Sequence, residues 1–336
     1  MPSLAADSGL PGVTEFDLIE TYLCDLGPPR SDVDLGVGDD CALLRVPVGQ
    51  QLAVSIDTLV SGTHFFPDCD PEALGHKALA VGLSDLAAMG AEPAWATLAL
   101  TLPAELVARH PDWVAAFARG LGELARLHGV RLVGGDTTRG PLSVTVQVHG
   151  LVPEGVAIRR SGARPGDLVY VSGTLGDAGL ALRRILRGGP VDEDLRRHLE
   201  RPAPRVALGL ALRGLATAMI DLSDGLAADL GHILESSGAG AELWLESLPL
   251  SPAVAEAVAA DAERTLPLAS GDDYELCFCV PPARSKEVLG LTERCGCPLT
   301  WVGRIREDGG LRCLDADGNV IRLGHLGFDH FSGPGG

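Results

Sequence analysis

The chain has 336 residues, 46% of them apolar and only 4% aromatic, with a formal net charge of −18. That length suits two domains of ordinary size, with cores filled by Ala, Leu and Val rather than by rings. The acidic balance argues against unaided binding to a nucleic-acid backbone or an anionic membrane, and it suits a protein that presents carboxylates to metal ions.

The first residues lack the basic stretch and apolar core of a signal peptide. No apolar run is long enough to span a bilayer. The eight cysteines are scattered, so reduced thiols and a cytoplasmic location are expected. Cys277 and Cys279 lie in a strand-like run, where packed core thiols explain them better than a zinc site does. Arginine carries nearly all the positive charge; the only lysines are Lys77 and Lys286.

Residues 15–25 read as a short amphipathic helix. Gly36-Val-Gly-Asp-Asp-Cys-Ala42 follows, a glycine-rich loop with adjacent carboxylates at Asp39 and Asp40. Two unit charges about 4 Å apart at an effective dielectric near 20 repel by roughly 4 kcal/mol. A solvated turn tolerates such a pair, and so does a site with a cation between the charges. Residues 51–57 read as a strand, with Ser55 and Asp57 on one face and Val54 and Ile56 on the other. A loop carrying His64 comes next. The spacing predicts a helix over 71–90, opened by Pro and closed by Gly. Its residues are small and apolar, so it is expected to be buried or packed at a subunit interface. Asp85 lies inside it. A buried, unpaired carboxylate costs several kcal/mol, so Asp85 must face a cation, an arginine or a polar cleft.

A strand is expected at 94–102, a helix at 106–128, and a strand at 130–134 that runs into a second acidic glycine loop, Gly134-Gly-Asp-Thr-Thr-Arg-Gly140. Glycines there let a phosphate approach main-chain N–H groups, and Asp136 is placed to hold the phosphate's metal; a plain turn uses the same residues. After a strand at 143–152, the turn-rich segment 153–165 carries Arg159 and Arg160, suited to clamp a phosphate or simply solvated. The domain boundary is placed there, giving domains 1–152 and 153–336.

The second half opens with a strand at 167–172. Its glycine spacing at 173–179 is not that of a dinucleotide loop. Helices at 192–199 and 206–214 precede residues 218–225, a strand feeding a helix that runs to about 237. Asp221, Ser223 and Asp224 sit at that junction, where a helix N-terminus favours carboxylates and phosphates. A strand at 242–245 and a helix at 251–262 lead to a third acidic glycine loop at 268–274. A strand at 274–280, a helix at 284–294 and strands at 299–303 and 311–314 complete an α+β layer, and the tail is expected to end in disorder. Together these acidic loops look like a nucleotide site served by several Mg²⁺ ions. No Walker A or protein-kinase motif accompanies them.

The motifs stand in order along nearly the whole chain: GDDCALL (38–44), SIDTL (55–59), KALAV (77–81), LSDLAAMGA (83–91), GGDTTRGP (134–141), RSGARPGD (160–167), IDLSDGL (220–226), GDDYEL (271–276) and GFDHF (327–331). In these the sequence resembles the thiamine-monophosphate kinase family. Its superfamily also holds aminoimidazole ribonucleotide synthetase, selenophosphate synthetase and the hydrogenase-maturation dehydratase. The resemblance implies a two-domain α/β (α+β) fold. The N-terminal mixed-sheet domain would form a barrel-like dimer interface, and a C-terminal α/β sandwich domain would complete an active-site cleft. It implies ATP-dependent phosphorylation of thiamine monophosphate to thiamine diphosphate by direct in-line transfer. The implied Mg²⁺ shell is Asp40, Ser55, the Ile56 carbonyl, Asp57, Asp85, Asp136, Asp221 and Asp224. ATP would meet Gly135, Asp136, Arg160 and Ser223, and the acceptor His64, Asp272 and Phe328. Three positions depart from the family pattern: Asp272 stands for Glu, Phe328 for Tyr or Trp, and Gly82 for Asn. The rival readings are another ATP-dependent enzyme of the superfamily with a different phosphorylated acceptor, or a non-catalytic nucleotide- or metal-binding protein.

Overall fold

A computed structural model describes residues 14–260 and 265–321. The tail motif at 327–331, with Phe328, lies outside them. Two mixed sheets, each with its own helices, make a two-domain α/β fold.

The described residues open with a helical turn, α1 (Glu15–Leu18), which widens into a π-helical turn over Ile19–Leu23. A small hairpin, β1 (Val33–Leu35) and β2 (Leu43–Leu44), brackets the first acidic loop. Then come β3 (Gln50–Val60), α2 (Pro71–Ala88), β4 (Glu92–Leu102), α3 (Ala104–Arg109), α4 (Trp113–Leu127), β5 (Arg131–Arg139) and β6 (Ser143–Pro153). The expected helix over 106–128 is two helices, because Pro111 disfavours helical backbone at His110. The four-stranded sheet runs β3-β6-β4-β5, with β4 and β5 parallel and the other pairs antiparallel. Among the described residues it does not close into a barrel, and β3 is an edge strand.

Helix α2 is the spine of the molecule. Asp70 caps it by accepting from the Glu72 and Ala73 amides, and Pro71 fills its first turn. Its sequence is apolar all round because it is covered all round. It packs on β3 and β6, on α4, and on the strand and helix of the second half introduced below as β8 and α7. Leu79, Leu83 and Leu86 are 2% exposed or less, each burial contributing about 2 kcal/mol. Glycines let the backbones touch: a Cβ at Gly75 would lie 2.0 Å from the Phe117 carbonyl, and one at Gly120 1.8 Å from that of Glu72.

The second half contains β7 (Leu168–Ser172), α5 (Asp177–Leu186), α6 (Glu193–Glu200), α7 (Val206–Ala211), β8 (Ala218–Asp221), α8 (Leu226–Ser237), β9 (Gly240–Trp244), β10 (Leu276–Val280), β11 (Leu299–Arg306), β12 (Gly310–Leu314) and β13 (Val320–Ile321). Its seven-stranded sheet runs β13-β12-β9-β11-β7-β10-β8; only β12 and β9 are parallel. Cys277 and Cys279 are fully buried in its core. Edge strand β8 leaves Asp221 at its C-terminal end, against α2.

Candidate active site

The alternation along β3 turns Ser55 and Asp57 toward α2 and leaves Val54 and Ile56 exposed. Across from them α2 presents Asp85, and the Ser55 hydroxyl donates to its Oδ2. Asp57 and Asp85 face each other, and Asp221 reaches the same spot from β8. Burial, then the Asp85 charge, pushes the Asp57 carboxyl up to about 6. Asp85 is raised by burial, against the pull of the Ser55 hydroxyl and the Arg160 charge. Asp221 is raised by burial and then by Asp85. Desolvated like charges of this kind bind a proton or a cation.

The turn after β8 is held from within its own helix. Asp229 of α8 accepts from the Asp224 and Gly225 amides at 3.1 and 3.0 Å, and burial pushes its carboxyl up to about 7. The third acidic loop lies alongside. The Asp272 amide donates to the Ser223 carbonyl at 2.9 Å, and the Tyr274 amide to the Leu222 carbonyl at 2.8 Å. A Cβ at Gly271 would lie 2.3 Å from the Ser223 carbonyl oxygen, so only glycine allows this approach. Asp272 and Tyr274 are the only non-glycine residues at positive φ among the described residues, at 68° and 48°. Such conformations cost about 1–3 kcal/mol each and persist where the surroundings enforce them. Here Lys77 of α2, nearly buried, sets its Nζ 2.7 Å from Asp272 Oδ2, and the Tyr274 hydroxyl donates to Oδ1 at 3.0 Å.

A cavity of about 760 Å³ opens between the halves. Asp57, Ser223, Asp224, Asp272, Lys77, His64, Arg183 and Glu200 are among its polar lining residues, and Phe65, Phe66, Val81, Leu182 and Leu199 among its apolar ones. His64 turns back on its own strand, its Nδ1 accepting from the Val60 amide at 3.0 Å.

The structure thus gathers Ser55, Asp57, Asp85 and Asp221, with Arg160 near enough to act on Asp85 and Asp229. The turn with Ser223 and Asp224 and the loop with Asp272 line the same cleft. The carbonyl of Ile56 lies on β3 between Ser55 and Asp57. Asp40 is exposed on the loop between β1 and β2, and Asp136 is exposed on β5. Gly135 and Asp136 were expected on a loop; they belong to a strand whose register with β4 continues to Arg139. Gly135 makes that possible, since a Cβ there would lie 1.9 Å from the Leu98 carbonyl oxygen. Sequence reasoning overlooked Lys77, Asp229 and Tyr274. For Lys77 the signal was present: a charge inside an apolar helix, as with Asp85.

Two features fit a divalent cation here. The carboxylates are desolvated together, and Asp57 Oδ2 is buried without a hydrogen-bond partner. The donors are carboxylates and a hydroxyl, the hard oxygens that Mg²⁺ prefers. Among the described residues no three His, Cys, Asp or Glu side chains converge closely enough to hold a metal by themselves. Mg²⁺ ordinarily keeps waters and shares phosphate oxygens with one or two carboxylates.

Comparison with known proteins matches residues 38–152 to the N-terminal domain, and 164–315 to the C-terminal domain, of AIR synthase related proteins. The thiamine-monophosphate kinase of Escherichia coli (strain K12) is 49% identical over 326 residues, covering 95% of this chain and 99% of that protein. The chain belongs to the thiamine-monophosphate kinase family. It is therefore an enzyme of the kinase class. The crystal structure of the kinase from Stenotrophomonas maltophilia K279a superposes with a TM-score of 0.81 at 47% identity, covering 87% of this chain and 93% of that one. The structure of AaThiL complexed with AMPPCP and TMP superposes with a TM-score of 0.73 at 28% identity, covering 97% and 100%.

Proposed function

We propose that this chain transfers the γ-phosphoryl group of ATP to thiamine monophosphate, giving thiamine diphosphate and ADP in the last step of thiamine diphosphate biosynthesis. The observation that carries the reading is the cavity between the halves, lined by both carboxylates and apolar side chains. A family member of the same chain fold, AaThiL, has been solved complexed with AMPPCP and TMP, which supports this reading.

The acceptor's phosphate oxygen attacks the γ-phosphorus in line while the bond to the β-bridging oxygen breaks. The nucleophile is already anionic, so no general base is assigned, and the protein's tasks are positioning and charge neutralisation. Asp40, Ser55, the Ile56 carbonyl, Asp57, Asp85, Asp136, Asp221 and Asp224 are the residues to hold Mg²⁺. Bound there, Mg²⁺ supplies neutralisation of the two phosphate groups. Gly135, Asp136, Arg160 and Ser223 hold ATP; the strand backbone at Gly135 and the Arg160 guanidinium serve phosphates directly. His64, Asp272 and Phe328 hold the acceptor.

In this reading the chain divides into an ATP- and Mg²⁺-binding domain, 1–152, and a completing domain, 153–336, a division supported by the two sheets and the two family matches. The chain works as a cytoplasmic homodimer in this reading. Edge strand β3 exposes Leu52, Val54 and Ile56 in a row, a surface suited to pairing two N-terminal sheets into a barrel. No helix among the described residues is long and apolar enough to cross a membrane.

The test is thiamine diphosphate formation from ATP, thiamine monophosphate and Mg²⁺, with free thiamine as control acceptor and Asp57→Asn as control enzyme. Product from the monophosphate alone, lost in the variant, supports the reaction and the metal assignment. A folded, ATP-binding protein that makes no product overturns the acceptor.

A further inference from the structure

Lys77 is one of two lysines in the chain, and it stands in the cavity wall with its side chain almost wholly covered. Its side chain is 5% exposed, whereas that of its partner Asp272 is 33% exposed and faces the cavity. The pair joins the two halves of the molecule, from α2 to the loop before β10. Tyr274 takes the other carboxylate oxygen. Asp272 is therefore gripped on both oxygens, in a left-handed backbone conformation.

We propose that Lys77 is a positioning residue for the phosphoryl acceptor. It fixes the direction in which the Asp272 carboxylate meets the acceptor's end remote from its phosphate, and it offsets the negative charge there. This rests on the proposed reaction. Without the ammonium, Asp272 adds an uncompensated charge to a cleft that already holds Asp57 and Asp224, and the carboxylate loses the contact that aims it. ATP binding lies with other residues, so the effect falls on the acceptor alone. The ligand chemistry this predicts is a base carrying hydrogen-bond donors, joined to a phosphate.

The experiment compares wild type, Lys77→Met, Lys77→Arg, Asp272→Asn and the double variant Lys77→Met/Asp272→Asn, by steady-state kinetics in both substrates, with melting curves as a check on folding. The expected result is an acceptor KM raised at least tenfold in Lys77→Met, with the ATP KM within twofold of wild type. Lys77→Arg, which keeps the charge, falls between. The double variant is no worse than Asp272→Asn, because Lys77 acts through Asp272. A folded Lys77→Met with an unchanged acceptor KM overturns the inference, as do equal rises in both KM values or additive effects in the double variant. If Lys77→Met does not fold, Lys77→Arg decides: a wild-type acceptor KM overturns the inference. A wild-type protein that makes no thiamine diphosphate overturns the functional reading, and this inference with it.

Discussion

Gly82 stands directly against Asp57: a Cβ built on the glycine would lie 3.6 Å from Asp57 Oδ2. That oxygen is buried and has no hydrogen-bond partner, and the missing side chain at 82 is one reason. A buried polar atom left unpaired costs about 1–3 kcal/mol, a cost removed when a cation joins it. Mg²⁺ is therefore expected to raise the melting temperature of the wild-type protein, since a ligand that binds only the native state stabilises it. Asp57→Asn removes one of the clustered charges, so the metal-free variant melts no lower than wild type. Its Mg²⁺-induced shift is lost, and activity falls at least 100-fold. A calorimetric scan with and without Mg²⁺ checks both. An undiminished shift in the variant removes Asp57 from the metal shell.

The same position tests packing. A Cβ at Gly82 would meet both γ carbons of Val148 at 3.0 Å, closer than side chains ordinarily pack. Val148 sits on β6, paired with Ser55, so a push there moves the strand that carries the site. Gly82→Ala is expected to cost about 1–3 kcal/mol by overpacking. Gly82→Ala/Val148→Ala is expected to recover part of it, because the second change makes room for the first. Denaturant melts of the three variants measure this; equal stability of the two single variants and wild type contradicts the stated contact.

Much of this arrangement was legible in the sequence, for physical reasons. The period of two along β3 put Ser55 and Asp57 on one face. The apolar, glycine-bearing run of α2 announced a buried helix, and a charge at Asp85 inside it had to find partners. What could not be read was which carboxylates converge. Asp221 meets Asp57 and Asp85 only because β8 packs on α2 across the domain boundary, a contact with no local signature. Gly134-Gly135-Asp136 reads as a turn because glycine is common in turns; its role in a strand follows from the close approach of β4. Helix α4 kept its period, but the break at Pro111 was overrun by the periodic pattern on either side.

Behind the Asp272 loop, Glu275 is 3% exposed and carries three contacts. The Arg205 Nε donates to its Oε2 at 2.7 Å, the other Arg205 nitrogen to Oε1, and the Ser172 hydroxyl to Oε2. Arg205→Met leaves that carboxylate buried without its ion-pair partner, and the expected loss of stability is about 3–5 kcal/mol. Replacing both partners, Arg205→Met/Glu275→Met, is expected to recover most of it, since an apolar pair of similar volume avoids the desolvation of two ions. Equilibrium unfolding in urea separates the cases. A double variant as unstable as Arg205→Met shows instead that Glu275 is needed for the Ser172 hydrogen bond and the path of β10.

Strand β3 has two faces with different roles. Ser55 and Asp57 look inward, while Val54 and Ile56 are 51% and 61% exposed. An apolar row on an unpaired sheet edge invites association with another chain, and the proposed dimer covers it with a second copy. Val54→Asp leaves the inward face untouched and sets two like charges against each other across the interface. The variant is expected to run as a monomer in sedimentation velocity where the wild type runs as a dimer, with the melting temperature of the separated chain lowered and made independent of protein concentration. If activity falls with dissociation and returns when Val54→Asp is mixed with a Val54→Lys variant, the dimer is required for catalysis. If dissociation leaves turnover unchanged, each chain holds a complete site. If wild type itself sediments as a monomer, the exposed row on β3 is not a subunit interface.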